Sequence, residues 1–327
     1  MKRNKEDLFK NVKVFIENIE LSNKEKTDLL KSVYFNKGNS EIKNITILLL
    51  KGYFLKVFLA FYRKLFHLEQ NEKWFKICKE LGDDFMDKKL IKLNIYKKKI
   101  IRLQDRKIVL ELEKKEGLSF GDYMDILSSY YQSILSNQYN ISSKNINGKI
   151  VVDCGSSHGE FGIFCMKLGA KKVYSFEPVT GTYKILVNNI KLNNLNSKVV
   201  PIKKALGDKN EKLRIYFNRA GDTGAYIPED KVDKKQNVNT EIVEVIKLDD
   251  FIKDSEKIGF IKIDSEGYEE KVLKGASGII KRDKPILSFS AYHKPTDKIK
   301  LPALIHSIRQ DYKIKLLKRD EEDFYCE

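Results

Sequence analysis

Three stretches of this chain carry side chains able to hold a ligand or move a proton. The first is Asp153-Cys154-Gly155-Ser156-Ser157-His158-Gly159-Glu160-Phe161-Gly162. It follows an apolar run and precedes an apolar helical stretch. Its glycines let the backbone turn sharply and approach a ligand, and the helix N-terminus behind them offers free N–H groups. The pattern is D-x-G-x-x-x-G, not G-x-G-x-x-G, and suits a nucleoside joined to an amino acid better than a pyrophosphate. The second is Glu177, which closes Ser175-Phe176-Glu177 and lies 24 positions after Asp153. An acid at the end of a second strand holds ribose hydroxyls in nucleotide-binding α/β folds, because two carboxylate oxygens can accept both protons of a cis-diol. The third is Asp264-Ser265-Glu266-Gly267-Tyr268-Glu269, directly after Phe260–Ile263. Asp264 and Glu266 precede the next helix and are expected to face the cleft, whereas Glu270 is expected only to favour the helix dipole. His293, in Ser290-Ala291-Tyr292-His293, follows a further strand and is expected at the same edge. Its unperturbed pKa of about 6.5 suits proton transfer near neutrality. His67 and His306 sit among apolar helical residues and read as packing residues.

Positioning these groups at one edge requires a parallel sheet. Short apolar runs at Lys149–Asp153, Val173–Phe176, Val199–Ile202, Phe260–Ile263 and Ile286–Phe289 alternate with helical stretches, the signature of a doubly wound α/β domain. Leu213–Phe217 and Ile242–Leu248 read as added strands in an insertion, and Ile314–Leu317 with Phe324–Cys326 as a closing antiparallel pair. This domain is expected over 148–327, after an Asn- and Ser-rich boundary at 137–148. Residues 95–147 read as a hairpin, Ile100–Leu103 with Ile108–Leu112, then a helix from Asp122 to about Leu135. Residues 1–94 read as mainly helical, with helices ending near His67 and Leu81.

Bulk properties narrow the function classes. Of 327 residues, 42% are hydrophobic and 33% charged, which argues against a wholly disordered chain. The net charge of +16 invites an anionic partner, but the lysines run along the whole chain and gather in no arm or stripe. The four cysteines form no CxxC pair, which speaks against zinc or a disulfide framework and for free thiols in a reducing compartment. Met1–Lys10 lacks the apolar core of a signal peptide, so a cytoplasmic location is expected. Ile45–Phe61 is largely apolar but broken by Lys51, Gly52 and Lys56. It reads first as a buried or partner-contacting helix and second, over 45–67, as a peripheral membrane contact.

A set of motifs in order then becomes recognisable: Val151-Val152-Asp153-Cys154-Gly155; Phe176-Glu177-Pro178 followed by Asn188-Asn189; Lys204-Ala205-Leu206-Gly207-Asp208; Leu248-Asp249-Asp250; and Lys262-Ile263-Asp264-Ser265-Glu266-Gly267-Tyr268-Glu269, continued by Val272-Leu273-Lys274-Gly275-Ala276. Through these, residues 149–293 resemble the FkbM family of S-adenosylmethionine-dependent methyltransferases. The resemblance implies a Rossmann-like class I methyltransferase fold with a mostly parallel seven-stranded sheet. It also implies S-adenosyl-L-methionine as cofactor and O-methylation of a hydroxyl on a small molecule, sugar or glycan. Asp153, Gly155 and Gly159, with Ser157 in the same loop, would line the methionine and ribose side. Glu177 would take the ribose diol, and Ala205 and Leu206, with Asp208, would meet the adenine. The loop departs from the family in having Ser157 where Asn is common and His158 where an apolar residue is common.

Asp264, Glu266 and His293 are the candidates for the base that removes the acceptor proton, with cofactor contact or acceptor binding left open for Asp264. No metal is assigned, since two carboxylates do not specify one. A nucleic-acid methyltransferase is disfavoured because Asp264-Ser265-Glu266-Gly267 stands where a (D/N)-P-P-(Y/F/W) turn is expected. A nicotinamide oxidoreductase is disfavoured by the missing G-x-G-x-x-G. A non-catalytic donor-binding protein is the remaining alternative. Residues 1–94 and the loop Asn218–Thr240 are expected to help select the acceptor.

Overall fold

A computed structural model describes residues 91–96, 100–105, 108–113, 125–126, 129–135, 137–219, 221, 223–228, 238–319 and 321–327. The expected helices before residue 91 and the 45–67 segment lie outside the described residues. Met86–Glu327 forms one unit. It begins with an antiparallel meander of β1 (Ile91–Tyr96), β2 (Ile100–Asp105) and β3 (Ile108–Glu113). The expected hairpin is therefore present, and the alternating Ile91-Lys92-Leu93-Asn94-Ile95 adds a third strand. The stretch expected as one helix to Leu135 ends in a π-helical turn at Tyr131–Leu135.

After the short α1 (Ser143–Ile146), the chain lays down β4 (Ile150–Cys154), α2 (Glu160–Lys167), β5 (Lys172–Phe176), α3 (Thr180–Leu192) and β6 (Val199–Ile202). It then forms a separate small sheet from β7 (Ala205–Leu206), β8 (Glu211–Phe217) and β9 (Asn239–Ile246). The two strands expected as an insertion thus recruit Ala205–Leu206 as a partner. Leu248, expected at the end of a strand, instead opens α4 (Leu248–Phe251). The main sheet resumes with β10 (Ile258–Ile263), α5 (Glu269–Gly275), α6 (Ser277–Asp283) and β11 (Ile286–Ser290). It ends with α7 (Asp297–Ile308), β12 (Ile314–Lys318) and β13 (Glu322–Cys326).

The seven strands lie in the order β12-β13-β11-β10-β4-β5-β6. Strands β6, β5, β4, β10 and β11 are parallel; β13 pairs antiparallel with β11 and with β12, the expected closing pair. From β4 the chain winds outward through β5 and β6, then returns to β10 on the other side of β4. The winding direction switches between β4 and β10, and ligands of open α/β sheets bind outside the strand ends at such a point.

Strand alternation divides the core. Val152, Cys154, Phe176, Ile261, Ile263 and Phe289 enter one apolar cluster, while Val151, Val173 and Phe260 enter the other with Phe161 and Leu186. Phe161, Phe176, Phe260 and Phe289 are essentially fully buried, each worth about 1.5–3 kcal/mol of transfer free energy. By the same alternation Asp153 and Lys262 share the second face with Val151 and Phe260, and both are buried. Among the described residues no helix is long and apolar enough to cross a membrane.

Candidate active site

The turn after β4 is built by packing. Gly155 has φ +76°, and a Cβ there would stand 1.9 Å from the backbone oxygen of Asp264. Gly159 has φ +90°, and its Cβ would meet Leu186 Cδ1 at 2.7 Å. The glycines expected for ligand approach are thus already demanded by β10 and α3. The N–H groups of Gly155 and Ser156 both donate to Phe176 O, at 3.1 and 2.9 Å, and Ser156 Oγ donates to Asp153 O at 2.9 Å. Ser157 takes a left-handed φ of 47°. Its N–H donates to Glu177 Oε2 at 3.1 Å, while Val179 N–H donates to Oε1 at 3.0 Å. Glu177 is therefore drawn onto the loop. Burial pushes its carboxyl up to about 8, against the two backbone donors. Ser157 Oγ is buried and has no hydrogen-bond partner among the described residues.

Lys262 locks this turn from below. Its Nζ is 3.3 Å from Asp153 Oδ1 and donates to Gly155 O at 2.6 Å. Burial alone would lower the ammonium pKa, but the charges of Asp153, Asp264 and Glu160 outweigh it and hold the group above the ordinary lysine value. Asp153 is fully buried, and its carboxylate lies against Lys262. His158 ties in a second loop: its Nε2 lies 3.0 Å from Gly221 O, within the segment expected to help select the acceptor. Tyr226 of the same segment pairs with Tyr216, their rings stacked at 5.9 Å. Asn189 Nδ2 donates to His158 O at 2.8 Å, and Asn189 Oδ1 accepts Glu111 N–H at 2.7 Å. The Asn188-Asn189 motif thus links the loop to β3.

On the other side of the switch point the acids converge. Asp264 Oδ2 accepts the Tyr139 hydroxyl at 2.7 Å and Oδ1 accepts Ser290 Oγ at 3.0 Å. Burial alone would raise Asp264, but Lys262 and His293 outweigh it and hold the carboxyl below its usual range. Glu269 Oε1 accepts four donors: Ser265 N–H at 3.0 Å, Ser265 Oγ at 3.2 Å, Gly267 N–H at 3.3 Å and His293 Nδ1 at 3.0 Å. His293 Nε2 faces Glu266 Oε2 at 3.4 Å and Asp264 Oδ1 at 3.8 Å. Burial would lower the imidazole, yet Glu266 and Glu269 raise it to about 11. The unperturbed value assumed from sequence does not hold: His293 is an imidazolium at neutral pH, already carrying the proton a base would have to take. Burial raises Glu266, helped by the charge of Asp264 and opposed by the His293 bond, and its side chain remains about a third exposed.

Residues 153–317 match the methyltransferase FkbM domain. The chain belongs to the FkbM methyltransferase family. It is 26% identical over 195 residues to methyltransferase sdnD of Sordaria araneosa, across 50% of this chain and 75% of that protein. It is 29% identical over 108 residues to protein arginine N-methyltransferase 6 of Danio rerio, across 31% of each. An FkbM methyltransferase structure from Methylobacillus flagellatus KT aligns at 23% identity and TM-score 0.43, covering 64% of this chain and 56% of that one. The match therefore spans about a third of the arginine methyltransferase and just over half of the bacterial structure.

Within this FkbM domain the motif residues separate into two groups. Asp249 accepts Gly278 N–H at 2.8 Å and Ile279 N–H at 2.9 Å, capping α6, and Asp208 pairs with Lys271 at 3.3 Å. Ala205 and Leu206 belong to the apolar cluster that includes Phe176 and Val179, which flank Glu177. Glu270 forms an exposed pair with Lys274, and His306 Nε2 donates locally to Tyr312 O at 3.2 Å. Among the described residues, Asp264, Glu269 and His293 bring ligand-type atoms within 4.8 Å of one another. Sequence reading missed Tyr139, Lys262, Ser290 and Glu269 as site components. Lys262 was the most legible, since a lysine inside an apolar strand requires a buried counter-charge.

Proposed function

We propose that this chain binds S-adenosyl-L-methionine in the crevice beside Gly155–Gly159 and transfers its methyl group to a hydroxyl of a small-molecule, sugar or glycan acceptor. The observation that carries this reading is Glu177: a buried carboxylate at the end of β5, held against the loop by Ser157 N–H. Each of its oxygens accepts one backbone donor and keeps capacity for a ribose hydroxyl. The orphaned Ser157 Oγ on the same loop fits a polar ligand as well. Bound there, the cofactor supplies an electrophilic methyl carbon.

The chain's own residues do the remaining work. Glu177 accepts the diol hydrogens, and Lys262 keeps the loop in place through Gly155 O. Asp264, clamped by Tyr139 and Ser290, fixes the acceptor side next to the loop. Glu266 receives the proton of the acceptor hydroxyl as the oxygen attacks, because burial raises its carboxyl above the ordinary value and makes it a better proton acceptor, and it is exposed enough to meet a ligand. His293, held by Glu269, stands beside Glu266 and stabilises whichever carboxylate is charged.

Calorimetry with S-adenosylhomocysteine tests the donor site: the native chain binds, and Glu177→Ala abolishes binding while the chain keeps its circular-dichroism spectrum. Retained binding by Glu177→Ala overturns the assignment. Labelled-methyl transfer to lipid, glycan and soluble extract fractions then identifies the acceptor pool. Peripheral docking through residues 45–67 belongs to the same proposal and is checked by co-sedimentation with anionic vesicles.

A further inference from the structure

Strand register arranges the site as a line. Cys154 pairs with Phe176 and with Ile263, Ile263 with Phe289, and Ser290 with Asp323. One step past the parallel pairs, Glu177, Gly155, Asp264, Ser290 and Asp323 therefore form a single row across β5, β4, β10, β11 and β13. At about 4.8 Å per strand the row spans about 19 Å. Its first two positions belong to the donor, and the remaining three reach away from it.

The far end of the row is acidic and unsatisfied. Ser290 Oγ bridges Asp264 Oδ1 at 3.0 Å and Asp323 Oδ1 at 3.5 Å, so these two carboxylate oxygens lie within 6.5 Å of each other. Gln138 Nε2 donates to Asp323 Oδ1 at 3.3 Å. Asp323 and Gln138 are each 1% exposed. Yet Asp323 Oδ2 and Gln138 Oε1 are buried with no hydrogen-bond partner among the described residues. Two buried acceptors without donors call for a ligand that brings donors. The local charge says which kind. Asp264, Glu266 and Glu269 already share His293, and Lys262 is engaged by Asp153 and the Gly155 carbonyl.

We propose that Asp323 and Gln138 form a subsite for a protonated amine, so that the acceptor is an amino alcohol or amino sugar whose ammonium lies at Asp323 while its hydroxyl is methylated beside Asp264. An ammonium carries three N–H donors, enough for both orphan oxygens with one left for solvent or Asp264. Burial and the Asp264 charge push Asp323 up to about 7, against the Gln138 donor and the Lys262 charge. Gln138 and Asp323 both lie outside the matched span 153–317, where acceptor choice can vary without disturbing the donor site. The chain's overall positive charge points the opposite way, to anions, and the local geometry overrides it.

This inference rests on the methyl-transfer reading, and the test separates the two. The full chain, saturated with S-adenosylhomocysteine, is titrated with trans-2-aminocyclohexanol, trans-cyclohexane-1,2-diol and trans-2-hydroxycyclohexanecarboxylate, with dissociation constants read by saturation-transfer NMR. The aminocyclohexanol is expected to bind at least tenfold more tightly than the diol, and the carboxylate not at all. In Asp323→Asn that preference falls to parity, while S-adenosylhomocysteine affinity, which also reports folding, is retained. Equal or tighter binding of the diol or the carboxylate, no binding of the amine, or an unchanged preference in Asp323→Asn overturns the subsite. Failure of S-adenosylhomocysteine to bind the native chain instead overturns the donor site.

Discussion

Lys262 offers the sharpest test of how the donor loop is held. In Lys262→Met the side chain keeps much of its length and loses its charge. The ammonium sits 3.3 Å from Asp153 Oδ1, with the two side chains 5% and 0% exposed. At an effective dielectric of about 20, a pair at that distance attracts by about 5 kcal/mol. Removing one member of a buried pair costs about 3–5 kcal/mol, because the other charge stays buried alone. The hydrogen bond to Gly155 O at 2.6 Å is lost as well. We expect a loss of about 3–5 kcal/mol at pH 8, measured by urea denaturation followed by circular dichroism. The pH dependence has a definite sign. Without Lys262, the folded pKa of Asp153 rises further above its unfolded value of about 3.9. A carboxyl whose folded pKa is raised stabilises the fold while protonated and loses that contribution as pH climbs through the folded pKa. The deficit of the variant should therefore be full at pH 8 and shrink by half or more at pH 5. A deficit under about 1 kcal/mol, or one that grows on acidification, would refute the reasoning.

Donor affinity should depend on pH through Glu177. Its carboxyl is pushed up to about 8 by burial, and the ionised form is the one that accepts two hydroxyl hydrogens. S-adenosylhomocysteine affinity should be constant above that pH and fall by up to about tenfold per unit below it, with proton release on binding detectable as a buffer-dependent calorimetric heat. A profile flat from pH 6 to 9 would contradict the role. Asn189→Leu removes that residue's bonds to β3 and to the loop, leaving Glu111 N–H and His158 O without this partner. At about 1–3 kcal/mol for each buried group left unsatisfied, thermal denaturation should register a clear drop, and donor affinity should weaken with it.

Much of the fold was legible because strand and helix periods are local properties. The five parallel strands, the closing pair at Ile314–Lys318 and Glu322–Cys326, and the loop between β4 and α2 all lie where apolar runs and glycines announce them. The strand at Ile91–Tyr96 carries the same alternation, but over only six residues at the end of a stretch whose apolar spacing reads as helical. Ala205–Leu206 is too short for any periodicity to show, and it becomes a strand only because Val245 and Ile246 present an edge to it.

Residue types and their order determined by themselves that a glycine-bearing loop, the acid Glu177 and a set of carboxylates with a histidine follow strand ends, because side-chain direction and strand period follow from the backbone. Charge states and partnerships were decided only by the tertiary structure. His293 becomes an imidazolium because three carboxylates from the β10–α5 turn surround it. Asp153 turns inward to Lys262, and Gly155 must be glycine because the Asp264 carbonyl occupies the place of a Cβ. Each of these depends on groups more than a hundred residues apart or on neighbouring strands. Electrostatic energy varies with distance and burial, and neither quantity exists until the sheet has closed.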